Sequence, residues 1–229
     1  MDRASRKGIS EPKRAGYRYK KGFYRDEAVA AHYDRERFAG PFRRRRNRRK
    51  WRTLRRGLAS LDTRVRRVVD LPCGTGRFTG DLGGLGIDVV GCDISSEMMR
   101  EAARTAAGTD RVRGFVQADA EALPFADDAF DAVVSIRFMF HVDPATRVEI
   151  LREFGRIAPY QVVDYRHRYS YRYAKWRALG ALGLTRRALE RVSRQGLEGE
   201  LRDAGLVLRD VFPVARVLSD KWIVVAERA

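Results

Sequence analysis

With 229 residues, 44% of them hydrophobic, the chain can build one globular domain with a small accessory part and bury a substantial core. It lacks an apolar run of about 18 residues and an apolar leader, which excludes a membrane span and points to a cytoplasmic protein. Two cysteines, Cys73 and Cys92, and three scattered histidines at 32, 141 and 167 argue against a disulfide framework and against a metal site.

The formal net charge of +17 is uneven. Residues 1–67 hold 24 Lys/Arg against 7 Asp/Glu, whereas residues 68–229 hold 23 of each. A neutral body therefore carries a basic N-terminal arm. Such an arm suits an anionic partner: a membrane surface, a nucleic acid or an acidic substrate. A solvated helix face in an arginine-rich chain accounts for the same run equally well.

Residues 1–25 read as a polar, irregular arm, and 26–62 as a helical cap ahead of a domain spanning 63–229. Asp26 and Glu27 open a helix running to Phe38, where they favour its dipole. Pro41 can start a second helix. In it Trp51, Leu54, Leu58 and Leu61 recur at spacings of 3, 4 and 3, forming one apolar face. Arg43–Arg46, Arg48, Arg49, Lys50, Arg52, Arg55 and Arg56 fill the remainder, which predicts a helix docked by its Trp/Leu stripe beside the cofactor entrance, with its basic residues outward.

Strands are predicted at 66–71, 88–92, 113–118, 130–136 and 160–165, and helices near 76–84, 95–107 and 145–157. The first strand runs into Val68-Val69-Asp70-Leu71-Pro72-Cys73-Gly74-Thr75-Gly76, a tight turn whose glycines let backbone amides approach a ligand. The second strand ends at Asp93, 23 residues after Asp70, close to the spacing of roughly 20 at which a carboxylate meets a ribose. Asp119 closes the third strand. Three acids thus end three successive strands on the carboxyl edge, where open α/β sheets bind ligands. The last two apolar runs, Leu206–Leu218 and Trp222–Ala226, are joined by three residues, so they must pair antiparallel.

These segments, with Leu123-Pro124-Phe125 and Phe130-Asp131, resemble the class I S-adenosylmethionine (SAM)-dependent methyltransferases, in particular the type 11 branch that includes the ubiquinone/menaquinone-type enzymes. The resemblance covers residues 63–165 well and the rest loosely. It implies a Rossmann-like, seven-stranded, mostly parallel α/β sheet with an antiparallel last strand at its edge. It implies SAM as cofactor, with Asp70, Gly74 and Gly76 at its methionine part, Asp93 at the ribose, Asp119 and Ala120 at the adenine, and Ile94 among the cofactor contacts. Tyr33-Asp34 resembles a pair that closes over the cofactor in this branch. Pro72 departs from the pattern, standing where many members have the first glycine. A nicotinamide-binding turn fits less well, because Thr79 stands where G-x-G-x-x-G needs its third glycine.

Methyl transfer asks the protein for in-line placement of the acceptor and, for some acceptors, a base. His141, after the fourth strand, is the candidate general base, with Tyr33 second; each also reads as a packing residue. Arg137, Tyr165, Arg166 and His167 are candidate acceptor contacts, since arginines among aromatics suit a phosphate-bearing or aromatic acceptor or a lipid headgroup. The same mixture can stack single-stranded bases, or simply pack a surface helix. Strand 4 ends in Ser135-Ile136-Arg137-Phe138, unlike the Asn/Asp-Pro-Pro-aromatic signature of amino-methylating enzymes, and no cysteine beyond Cys92 offers a nucleophile for pyrimidine C5 chemistry. A small-molecule or lipid-like acceptor is therefore favoured. RNA methylation, or a non-catalytic SAM- or nucleic-acid-binding role on the same scaffold, stays open.

Overall fold

A computed structural model of the chain describes residues 41–61, 65–184, 191–215 and 219–229, with backbone alone for 41–44 and 172. The expected arm, the helix at 26–38 and Tyr33 lie outside the described residues.

In chain order come helix α1 (Pro41–Ala59), strand β1 (Arg67–Asp70), a short α2 (Thr79–Gly83), β2 (Asp88–Asp93), α3 (Ser96–Thr105), β3 (Val112–Gln117) and β4 (Ala132–Ser135). A 3-10 turn over Met139–His141 leads to α4 (Pro144–Ile157), β5 (Tyr160–Arg166), α5 (Tyr171–Ala181), α6 (Arg194–Asp203), β6 (Leu206–Pro213) and β7 (Lys221–Arg228). The helix starts carry local signals. Ser95, Asp143 and Ser193 each accept a backbone N–H from the first turn of α3, α4 and α6, and Pro144 opens α4, where its missing N–H costs nothing. Helix α2 starts at Thr79 rather than at the expected 76, because the glycine turn uses the intervening residues.

The strands form one sheet in the order β3-β2-β1-β4-β5-β7-β6. The first five are parallel, whereas β7 runs antiparallel to both β5 and β6. The reversed last strand is thus present, but it is inserted between β5 and β6 and not at the edge. Chain order reverses between β1 and β4, so the crevice favoured for ligands opens at their carboxyl ends.

Alternating residues of the central strands feed two cores. Val69, Val133, Val163 and Val224 meet Ile150, Leu151 and Phe154 of α4 and Leu197 and Leu201 of α6. On the other face Val68, Val134, Val162, Ile223 and Val225 meet Leu54, Leu58 and Leu61 from α1 and its following turn. Helix α1 comes so close that a Cβ on Gly57 would lie 3.3 Å from side chains of both Val162 and Val225. Trp51 stacks on Phe78, just past the glycine turn, with ring centroids 6.1 Å apart. The docking face read from the sequence is therefore the observed one, with one exception. Lys50 is buried, not outward.

Leu54 is fully buried, so Leu54→Ala leaves a cavity under α1. The variant is expected to lose about 2–5 kcal/mol of unfolding free energy. Urea denaturation measures this, and an unchanged midpoint would show that α1 does not hold the sheet face.

Candidate functional site

The first half of the site is the turn after β1. Gly74 and Gly76 have φ of +54° and +76°, in the left-handed region that glycine enters without strain. The two positions differ in what surrounds them. A Cβ on Gly76 would lie 2.8 Å from the Ala102 Cα, so α3 backbone presses on the turn. A Cβ on Gly74 would meet nothing within 4 Å, so that part of the turn faces open space.

Asp93 fixes the turn to the end of β2. Its carboxylate accepts the Gly74 N–H at 2.8 Å and the Ser95 N–H at 3.0 Å. Burial pushes its pKa up, partly offset by these backbone N–H groups. Asp70 is also buried and accepts the Thr79 hydroxyl at 2.7 Å. Burial raises its pKa to about 7; the Thr79 bond opposes the rise and the Asp93 charge adds to it. Asp119 is half-buried, with one carboxylate oxygen accepting the Glu121 N–H at 3.2 Å. Ile94 is half-buried and Ala120 buried, so the residues expected to hold a cofactor lie on β1, β2 and β3 or just past their carboxyl ends.

The second half lies past β4 and β5. Arg137 has φ of +70°, unusual for a residue with a side chain, and its N–H donates to Asp164 at 2.5 Å. Asp164 is fully buried on β5 and accepts from the Lys50 ammonium at 2.6 Å, while the Lys221 nitrogen stands 3.9 Å away. Burial alone would raise the Asp164 pKa, but Lys50 and Lys221 together hold it below the usual carboxylate value. The Arg166 guanidinium lies 3.8 Å from the Phe140 ring centroid, and the Lys221 ammonium 5.2 Å from it.

His141, the candidate base, is half-buried in the 3-10 turn with its ring 4.4 Å from that of Phe140. Arg137 and Arg166 gather around Asp164 and Phe140. Tyr165 and His167 do not join them. Tyr165 is a core residue on the opposite face, and its hydroxyl donates to Glu200 at 3.2 Å. His167 is buried in a stack with Trp222 at 4.4 Å, and its Nδ1 accepts the Tyr169 N–H. Burial lowers its pKa.

Lys50, Asp164, Phe140 and Lys221 were missed by the sequence reading. Two signals were available. Lys50 sits four residues before Leu54 and eight before Leu58, hence on the apolar face. Asp164 interrupts the apolar run Val162-Val163 of a central strand.

Residues 68–158 match the family model described as "Methyltransferase domain". These residues are similar to a methyltransferase domain. The demethylmenaquinone methyltransferase of Clavibacter sepedonicus is 42% identical over 96 residues, which is 40% of this chain and 39% of that protein. The enzyme of the same name from Beutenbergia cavernae is 43% identical over 96 residues, covering 40% of this chain and 38% of its own. The matched stretches therefore span under two-fifths of the length of these two relatives. Among solved structures, magnesium protoporphyrin IX methyltransferase from Synechocystis PCC 6803, with S-adenosylhomocysteine (SAH) bound, superposes with a TM-score of 0.71 at 18% identity, covering 91% of this chain and 100% of that one. An O-methyltransferase of neocarzinostatin biosynthesis, solved with SAH and 1,4-dihydroxy-2-naphthoic acid, gives a TM-score of 0.65 at 18% identity, covering 94% of this chain and 62% of its own. At these identities the likeness is one of fold, and the fold is that of the class I methyltransferases.

The environment of Asp70 has a consequence for stability. Its folded pKa of about 7 lies above its ordinary value of 3.8. The protonated carboxyl therefore contributes stability that is full below about pH 4 and is lost as the pH rises through about 7. The shift corresponds to at most about 4 kcal/mol. Asp70→Asn is expected to flatten this part of the pH profile, making the variant more stable relative to wild type at pH 8 than at pH 5. Guanidinium denaturation at both values measures it; parallel profiles would show that Asp70 ionises normally.

Proposed function

We propose that the chain is a SAM-dependent methyltransferase acting on a small-molecule acceptor. The observation that carries this reading is the turn with an open, positive-φ Gly74 pinned to the buried carboxylate of Asp93, with Asp70 and Asp119 at the neighbouring strand ends. That donor and acceptor set fits the cofactor. Carboxylates suit its ammonium group and ribose hydroxyls. Asp70, Gly74 and Gly76 would hold the methionine part, Asp93 and Ile94 the ribose, and Asp119 and Ala120 the adenine. The bound cofactor supplies a methyl group activated by its sulfonium. The chain's task is to orient the acceptor and exclude water, with the His141 imidazole taking a proton where the acceptor must lose one; Tyr33 is the second candidate. Support for an aromatic acceptor comes from the demethylmenaquinone methyltransferases among the relatives and from the neighbour solved with a dihydroxynaphthoic acid.

Asp93→Ala removes a buried carboxylate from the cofactor half. Loss of a hydrogen bond to a charged group costs roughly 1.5–3 kcal/mol, which is about a 10- to 150-fold weaker Kd for SAM. Titration calorimetry measures the change, with melting curves confirming that the variant is folded. Unchanged affinity in a folded variant would remove Asp93 from the cofactor site.

A peripheral association with an anionic membrane is favoured by one feature of α1. Arg45, Arg48, Arg52, Arg55 and Arg56 are all exposed on it, opposite the docked face. Among the described residues no helix is long and apolar enough to cross a membrane. Each arginine near an anionic bilayer contributes on the order of 1 kcal/mol, and salt screens the attraction over about 10 Å at 0.1 M. Co-sedimentation with phosphatidylserine vesicles at low salt, lost at 0.5 M salt or on exchanging these arginines for glutamine, is the expected result. Tight RNA binding without vesicle binding would instead favour a nucleic-acid partner.

A further inference from the structure

Beyond the cofactor half, the carboxyl edge holds more positive than negative charge, in a place where charge is expensive. Asp164 is the carboxylate at the centre, and both of its oxygens are engaged, by the Lys50 ammonium and the Arg137 N–H. Lys221 reaches it only at 3.9 Å, with 17% of its side chain exposed. Arg166 lies across from Lys221 in the β5–β7 ladder, on the same face of the sheet. Its buried Nε makes no hydrogen bond, and its guanidinium rests on the Phe140 ring. Lys50 and Lys221 thus share one carboxylate, while Arg166 feels both Asp164 and Asp220, and Asp220 is itself paired with Arg191 at 2.9 Å. Buried cations in excess of their partners are costly unless an anion completes them. The inner pair, Lys50 and Asp164, is closed to solvent, whereas Phe140, Arg166 and Lys221 are partly exposed and form the accessible side of the cluster.

We propose that Lys221 and Arg166, beside the Phe140 ring, receive a carboxylate carried by an aromatic methyl acceptor. This rests on the methyltransferase reading above and narrows its acceptor class. A guanidinium fork and an ammonium donate several N–H groups to one carboxylate, and a planar acceptor ring gains from the aromatic and guanidinium surfaces around it. Lys50, Asp164, Arg166 and Arg137 all face Lys221. Burial first, and then the Lys50 charge, hold the Lys221 pKa well below its ordinary value. An arriving carboxylate favours the charged form of Lys221.

The test uses the full chain saturated with SAH and three probes: 2-naphthoate, its neutral methyl ester, and 2-naphthyl phosphate. The naphthoate is expected to bind at least tenfold tighter than the ester. Lys221→Met and Arg166→Gln are each expected to remove the preference for the acid while SAH affinity and melting temperature stay near wild type. Arg166→Lys, which keeps the charge, is expected to keep part of the preference. Equal affinity for acid and ester in the wild-type protein, a comparison that needs no variant, overturns the proposal. Binding of the phosphate in preference to the naphthoate overturns it in favour of a phosphorylated acceptor. Absence of SAH binding would instead refute the methyltransferase reading, because the acid–ester comparison can be made without SAH.

Discussion

The buried pair of Lys50 and Asp164 is the interaction on which the arrangement of the β4–β5 end of the carboxyl edge depends. At 2.6 Å it joins α1, an element from before the sheet, to the carboxyl end of the central strand β5. Each ion loses several kcal/mol of hydration on burial, and the pair is tolerable only when its remaining bonding capacity is met. The second oxygen of Asp164 is met by the N–H of Arg137, and that bond holds the chain leaving β4 in its left-handed conformation. One carboxylate therefore sets the position of α1, the exit of β4 and the start of the turn that carries Phe140 and His141. Removing either charge leaves the other buried alone, a loss of about 3–5 kcal/mol that a surface ion pair would never produce.

Much of the fold was legible because its causes are local. The valine-rich strands alternate with helices whose caps are serine or aspartate, and the glycine turn follows from the need for positive φ at Gly74 and Gly76. The acids proposed for the cofactor were legible as strand ends for the same reason, since each sits at or just past the end of a strand. The cluster around Asp164 was not, because its contacts are between residues far apart in sequence. Lys50 and Asp164 are 114 positions apart. A lysine within an arginine run reads as solvated, and only its phase with Leu54 and Leu58 shows that it turns inward. Tyr165 and His167 were misplaced by the period of a strand. They alternate with Asp164 and Arg166, so when one pair faces α1 the other must face the α4–α6 core.

The sheet order explains why two different chemistries meet at one edge. Strands β1, β2 and β3 run outward in one direction from the switch point, and β4 and β5 in the other. The first set ends in carboxylates and an open glycine turn, suited to a ligand with ammonium and hydroxyl groups. The second ends in Arg137 and Arg166, suited to an anion. A ligand pair spanning the crevice meets acceptors on one side and cations on the other.

The reversed strand adds what parallel strands cannot. In a parallel sheet every strand presents its last residue at the carboxyl edge, so the edge is furnished only by chain that has just crossed the sheet. Strand β7 runs the other way and is inserted beside β5, so it presents its first residue there, and Lys221 is paired with Arg166. Had β7 lain at the outer edge, with β6 against β5, Lys221 would stand one strand further away, about 5 Å on, and outside ion-pair reach of Asp164. The insertion therefore does more than close the sheet: it brings a cation from the end of the chain to a carboxylate that α1 has already fixed.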